Sequence, residues 1–263
     1  MTSNFSQRAK KSLGQNFLKS EKALNQMVTA SELNEKDVVL EIGPGRGALT
    51  KKILATGAKV VAVEKDEVLA GELGAVLQNF CDSGQLEILT VDALQFEPSD
   101  HTSLKKDYKI VANIPYYITG ALIEKFLTEK NPPRSVTFLV QKEVAERIIS
   151  RDKKESILSI SIKVFGKPKY IATVPKGAFV PAPKVDSAII HIADVSNKIF
   201  AENKITEQRF FEVVKKGFAH KRKQLGKNLE IVIEKAKFQE CKIDPKTRAE
   251  ELKVEDWICL SRN

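Results

Sequence analysis

From residue 38 onward, short β-rich apolar runs alternate with helical stretches. Val38-Val39-Leu40-Glu41-Ile42 reads as a strand, the stretch from Ala48 to the stop at Gly57 as a helix, and Lys59-Val60-Val61-Ala62-Val63 as a second strand, which makes a βαβ unit. The alternation continues with a helix near Glu67 to Leu77 and strands at 86–91, 109–113 and 135–140. Near-continuous apolar runs separated by helices predict a parallel sheet covered on both faces, with ligands at the carboxyl ends of its strands. After Gly166 the prolines Pro168, Pro175, Pro181 and Pro183 enclose Tyr170 to Val174 and lead into Ser187 to Ile192, the pattern of an antiparallel edge hairpin. From Asp194 the pattern is helical only. Phe210, Phe211, Val213, Val214 and Phe218 form one buried face, and a second helix is predicted near Gln224 to Phe238, with Gly226 inside it marking a cap or bend. The expected organisation is an α/β domain over 1–193, with 1–36 preceding its first strand, and a small all-helical domain over 194–263.

Composition narrows the class. The chain has 263 residues, 42% hydrophobic and 29% charged, which is ordinary for a globular protein and excludes disordered, collagen-like and disulfide-scaffold chains. Forty-three Lys and Arg against 34 Asp and Glu leave a formal charge of +9, which suggests a polyanionic partner. Lys221-Arg222-Lys223 is the densest basic cluster, and Arg8, Lys10 and Lys11 make the start of the chain basic. Cys81, Cys241 and Cys259 are odd in number and in no C-x-x-C spacing, which argues against a disulfide framework or thiolate zinc site and for a reducing compartment. No apolar run approaches the roughly 18 residues of a membrane span, so no membrane partner and a cytoplasmic location are expected. His101, His191 and His220 are scattered, with no metal spacing, and Trp257 is expected to pack the helical domain.

The candidate chemistry follows the strands. Gly43-Pro44-Gly45-Arg46-Gly47 closes the first strand and opens the first helix, where glycines let backbone N–H groups approach a nucleotide-like ligand. Glu64 ends the second strand, where a carboxylate can accept hydrogen bonds from both ribose hydroxyls. Asp92 follows the third and can accept from an adenine amino group. These residues alone do not separate a nicotinamide cofactor from S-adenosylmethionine. Asn113-Ile114-Pro115-Tyr116-Tyr117 ends the fourth strand and is more informative. An exocyclic amine on a base is a poor nucleophile, because its lone pair is delocalised into the ring. The Asn113 side-chain carbonyl, with the main-chain carbonyl of Ile114 or Pro115, can accept the two amine hydrogens while the lone pair faces a methyl donor. Tyr116 stacks on the base. No strong general base is needed, since the alkylated amine is acidic.

Five ordered blocks resemble the ribosomal RNA adenine dimethyltransferase family over nearly the whole chain: Leu13 to Leu18, Glu41 to Gly47, Glu64 with Asp92, Asn113 to Tyr116, and Phe179 to Ser187. The resemblance implies a Rossmann-like class I S-adenosylmethionine-dependent methyltransferase domain, a mostly parallel seven-stranded sheet with an antiparallel edge, plus a helical RNA-recognition domain. It implies that Asn16, Leu18, Gly43, Gly45, Glu64, Asp92 and Asn113 contact S-adenosylmethionine, with Gln15 to Leu18 as a lid. It further implies that Asn113, Pro115 and Tyr116 line a target-base pocket, with Phe179 as a second stacking surface. Burial statistics alone read Phe179 as an ordinary core residue. The implied substrate is 16S rRNA in an immature 30S subunit, dimethylated on two adjacent adenosines near its 3′ end. Arg8, Lys10, Lys11, Lys221, Arg222 and Lys223 are expected to meet phosphates, the protein to act as a monomer, and no metal to take part. Rival readings are a large-subunit adenine methyltransferase of the macrolide-resistance type, a non-catalytic RNA-binding assembly factor, and a dehydrogenase, which leaves Asn113 to Tyr116 unexplained.

Overall fold

The computed structural model describes residues 10, 14–105, 107–220 and 222–262. They fall into two compact units, one running to Ala145 and resuming over Lys169–Val195, the other made of Glu146–Pro168 and the chain from Ser196.

The first unit is built on seven strands: β1 Val38–Ile42, β2 Lys59–Glu64, β3 Leu86–Thr90, β4 Tyr108–Asn113, β5 Ser135–Gln141, β6 Lys167–Val174 and β7 Ser187–Ala193. Their order in the sheet is β3-β2-β1-β4-β5-β7-β6. The first five pair in parallel, and β7 runs antiparallel to β5. This is the Rossmann-like methyltransferase architecture. Helices α1 Glu21–Ser31, α2 Ala48–Leu54, α3 Glu67–Val76 and α4 Thr119–Leu127 belong to the same unit. Ser20 and Asp66 cap α1 and α3 through side-chain oxygens, satisfying backbone N–H groups that would otherwise be left over at a helix start. Met27, Ile53 and Leu73 from three helices meet Val39, Val60, Val111 and Ile189 from the strands in one core. Each such side chain contributes about 1.5–3 kcal/mol by leaving water.

At the amino-terminal edge of the sheet, Lys109 is buried and its charge is answered. The ammonium donates to the Ser31 and Glu32 carbonyls and to Asp37 Oδ2 at 3.1, 2.7 and 3.1 Å, while Arg134 holds Asp37 Oδ1 at 2.8 Å. A buried ammonium needs such partners to offset desolvation, and here they tie the end of α1 to the sheet.

The second unit contains α5 Ile157–Lys163, α6 Glu207–Gly217 and α7 Val254–Ser261. Three features differ from the sequence reading. Residues 146–168 belong with the helical unit, because Phe165 packs its ring at 5.6 Å from Phe200 and 6.1 Å from Phe211. The helix expected near 224–238 is two short ones, Leu225–Leu229 and Lys235–Glu240, with Ile231 exposed between them. Gly226 lies in the first, where its N–H donates to the Pro245 carbonyl at 2.8 Å and a Cβ would meet Pro245 Cβ at 2.9 Å. Cys241 and Cys259, whose number and spacing argued against a disulfide framework, form a disulfide with a Cα–Cα distance of 5.8 Å, which removes the cysteine argument for a reducing compartment. Eighteen residues of sequence hid a proximity created by folding.

Two predictions follow from burial. Trp257 is fully buried and stacks on Phe218, and a Cβ on Gly217 would lie 2.3 Å from its Cη2. Gly217→Ala is therefore expected to destabilise the helical unit by about 2–3 kcal/mol. Trp257 is the sole tryptophan, so urea titration followed by its fluorescence reads this directly, and an unchanged midpoint contradicts the packing. Glu41 on β1 is only 1% exposed; burial, reinforced by the nearby Glu64 carboxyl, pushes its pKa from 4.5 up to about 8. The folded state thus binds this proton more tightly than the unfolded state, and its contribution is complete below pH 4.5 and lost as pH rises to about 8. Glu41→Gln is expected to gain on wild type across that window, by an amount of the order of 4 kcal/mol at its upper end. Parallel stability–pH curves for the two proteins contradict the assignment.

Candidate active site

Parallel register sets the level of the functional residues. Ile42 pairs with Val63 on one side and Ala112 on the other, so Gly43, Glu64 and Asn113 follow at one height on the carboxyl crest. Glu64 pairs with Thr90, which brings Asp92 to the same crest two residues later. The chain turns sharply after β1. Gly43, Gly45 and Gly47 have φ of +67°, +54° and +74°, and a Cβ on Gly45 would lie 3.1 Å from the Phe17 ring. The turn also orients Glu64, whose Oε2 accepts the Gly45 N–H at 3.1 Å and whose Oε1 accepts the Asp66 N–H at 3.0 Å. Each carboxylate oxygen keeps a lone pair for a diol. Burial raises the Glu64 pKa, while the two backbone N–H groups act in the opposite sense.

Asp92 stands at the far side of the crest. Its Oδ1 accepts the Leu94 N–H at 3.0 Å and its Oδ2 pairs with Lys65 at 2.8 Å, which holds the carboxyl below its ordinary range. Asp66 binds the N-terminal segment. Its Oδ2 meets the Lys10 ammonium at 2.9 Å and the Gln15 amide at 3.2 Å, while Gln15 Oε1 accepts the Lys10 N–H at 2.7 Å. Burial works to raise the Asp66 pKa, but these partners outweigh it and the net shift is downward. The same segment forms a two-residue antiparallel ladder, Phe17 opposite Val180 and Leu18 opposite Phe179, and the Arg46 guanidinium lies 4.5 Å over the Phe17 ring.

Asn113 joins this segment to the strand crest. Its Nδ2 donates to the Asn16 carbonyl at 3.2 Å, while Asn16 Nδ2 donates back to the Gly14 carbonyl at 3.1 Å. With the amide nitrogen so engaged, the Asn113 side-chain oxygen is the group left to accept. Beyond Pro115, the Tyr116 hydroxyl and Ser187 Oγ lie 2.6 Å apart; burial pushes the phenol pKa up, against the Ser187 hydrogen bond. The whole arrangement surrounds a cavity of about 920 Å³, in whose wall Asn16, Leu18, Gly43, Gly45, Glu64, Asp92, Asn113, Pro115 and Tyr116 all take part.

Phe179 is the exception. Its side chain is 2% exposed, within the core around Leu18, Leu24 and Ala178, and it is absent from the cavity wall. The strand alternation turns Phe179 inward and Val180 outward, so Val180 lines the cavity in its place. This corrects the stacking role implied by the resemblance and agrees with the core reading. Among the wall residues with no role assigned from sequence are Val180, Lys65 beside Asp92, and Glu41, whose Oε2 is buried without a hydrogen-bond partner. An acid within a run of buried strand residues was the available signal for Glu41. Of the basic residues, Lys10 is bound to Asp66, Arg222 and Lys223 are exposed on the loop before Leu225–Leu229, and Arg8, Lys11 and Lys221 lie outside the described residues. Among the described residues, no group of three His, Cys, Asp or Glu side chains is arranged to hold a metal ion.

The chain resembles known proteins over nearly its whole length. The chain is 36% identical to the Ribosomal RNA small subunit methyltransferase A of Dehalococcoides mccartyi, over 99% of this chain and 90% of that protein. It is 39% identical to the protein of the same name from Rippkaea orientalis, over 96% of each. Among solved structures, it is similar to a dimethyladenosine transferase from Plasmodium falciparum, with TM-score 0.76, 26% identity, and coverage of 93% of this chain and 95% of that one. It shares the fold of the 23S rRNA methyltransferase ErmE, with TM-score 0.75 at 23% identity and coverage of 94% and 98%. Residues 6–262 match the family described as Ribosomal RNA adenine dimethylase, and with relatives of this identity over nearly its full length the chain belongs to that family.

Proposed function

We propose that this protein transfers methyl groups from S-adenosylmethionine to the N6 amine of two adjacent adenosines near the 3′ end of 16S rRNA, in an immature small ribosomal subunit, giving N6,N6-dimethyladenosine. The observation that carries the reading is the Asn113 amide, anchored through its nitrogen to Asn16 with its oxygen left to accept. The residues present fit the cofactor: a glycine turn for close approach, Glu64 with lone pairs to spare for ribose hydroxyls, Asp92 for an adenine amino group, and the buried Glu41 oxygen, without a partner, as a further hydrogen-bonding group. S-adenosylmethionine supplies, when bound, a methyl group activated by its sulfonium.

The remaining work falls to this chain. Asn113 Oδ1 accepts one hydrogen of the target amine. The Pro115 carbonyl already accepts the Ile118 N–H at 3.2 Å, which favours Ile114 as the second acceptor. Two acceptors so placed favour a tetrahedral nitrogen and aim its lone pair, and acceptors of this kind are worth about 10²–10³ in rate. Tyr116, held through Ser187, offers a face for the base. The alkylated amine loses its proton to water, so no side chain need serve as base. Exposed Arg222 and Lys223 are offered to RNA phosphates, together with Arg8, Lys11 and Lys221, while Lys10 serves the lid. A ribosomal substrate supports action in the cytoplasm; no helix among the described residues is long and apolar enough to cross a membrane.

Incubation with labelled S-adenosylmethionine and unmethylated small subunits, large-subunit RNA or tRNA, followed by nucleoside mass spectrometry, tests the reading. Dimethyladenosine confined to small subunits is expected. The same product confined to large-subunit RNA overturns the substrate, and no product despite cofactor binding favours an assembly factor. Asn113→Ala is expected to lower methyl transfer at least about 100-fold while leaving RNA affinity within about twofold. Equal loss of both contradicts a role in the chemistry.

A further inference from the structure

Apart from the main cavity, a notch of about 380 Å³ opens on the α/β unit, lined by Lys142, Glu143, Lys176, Lys184, Val185 and Asp186. Three lysines converge there from three separate segments: the start of the helix Lys142–Ile148, the turn after β6, and the loop before β7. Asp186 organises them through the backbone. Its carbonyl accepts the Lys142 N–H at 3.0 Å and its Oδ1 accepts the Lys176 N–H at 2.9 Å. No described residue forms an ion pair with the ammonium of Lys142, Lys176 or Lys184, whereas Lys65, Lys109, Lys125, Lys154 and Lys163 each hold a carboxylate. Three ammonium groups against the carboxylates of Glu143 and Asp186 leave the notch with a net positive charge, which favours an anion there. The notch also adjoins the base pocket: Asp186 is followed by Ser187, whose hydroxyl meets Tyr116, and Lys184 is within about 10 Å of Ser187 along the chain.

We propose that this notch seats a backbone phosphate of the RNA strand flanking the adenosine held at Tyr116, so that Lys142, Lys176 and Lys184 set the register of the target nucleotide. The inference rests on the RNA methyl-transfer reading and goes beyond it by naming where the strand is gripped. Phosphate contacts of this kind position a strand without reading its sequence.

The test compares Lys142→Gln/Lys176→Gln/Lys184→Gln with a charge-matched control, Lys36→Gln/Lys59→Gln/Lys130→Gln, at the opposite end of the strands. Binding of unmethylated small subunits is measured over a salt series, alongside methylation kinetics and S-adenosylmethionine affinity. The notch variant is expected to bind RNA about tenfold or more weakly than the control. Its slope of log affinity against log salt should be shallower by about 0.7–0.9, its KM for RNA raised, and its cofactor affinity unchanged. Affinity and slope equal to the control overturn the proposal, as does a parallel loss of cofactor affinity. The single variants Lys176→Gln and Lys184→Gln, at exposed positions, keep the test open if the triple variant folds poorly; each should weaken RNA binding relative to wild type with cofactor affinity unchanged, and RNA affinity equal to wild type in both overturns the proposal. Wild-type protein that makes no dimethyladenosine in small subunits defeats the functional reading, whereas active wild type with an indifferent notch variant defeats only this inference.

Discussion

Parallel pairing of β1 with both β2 and β4 is the constraint on which the site depends. The ladder places Ile42 opposite Val63 and Ala112, and a slip of one residue would exchange the faces of every side chain beyond it. Gly43, Glu64 and Asn113 share one level for that reason, although 70 positions separate the first from the last in sequence. Val39, Val60 and Val111 from the three strands share one core cluster in this register.

Strand positions were legible in the sequence because fully buried parallel strands leave long apolar runs. β1 matches its expected limits, and β2 to β5 differ at their ends by a residue or so. The sequence also pointed to the glycine turn, Glu64, Asp92 and Asn113, because they end neighbouring strands of such a sheet, and the structure brings them to one crest around one cavity. Phe179 shows where motif reasoning stops. A two-residue ladder decides which of two neighbours faces the cavity, and nothing local in Phe179-Val180-Pro181 reports the pairing with Leu18. The Cys241–Cys259 contact and the attachment of 146–168 to the helical unit are also products of long-range packing rather than of local pattern.

Charge placement divides in the same way. Composition reports the excess of lysine and arginine but not which cations are already engaged. Lys10 lies in a basic run and yet holds Asp66, where it stabilises the protein's own N-terminal segment. Lys142, Lys176 and Lys184 lie in no basic run, and only the fold brings them together.

The Phe17–Leu18 and Phe179–Val180 ladder has a mechanical meaning. One of its strands continues to Asn16, which receives the Asn113 amide; the other continues to Ser187, which holds Tyr116. Displacing the N-terminal segment therefore pulls on Asn113 and on the stretch of chain that leads to Ser187 and Tyr116. Under the proposed reaction, any exchange of donor between two methylations of one nitrogen is mechanically tied to the residues proposed to hold the nucleotide.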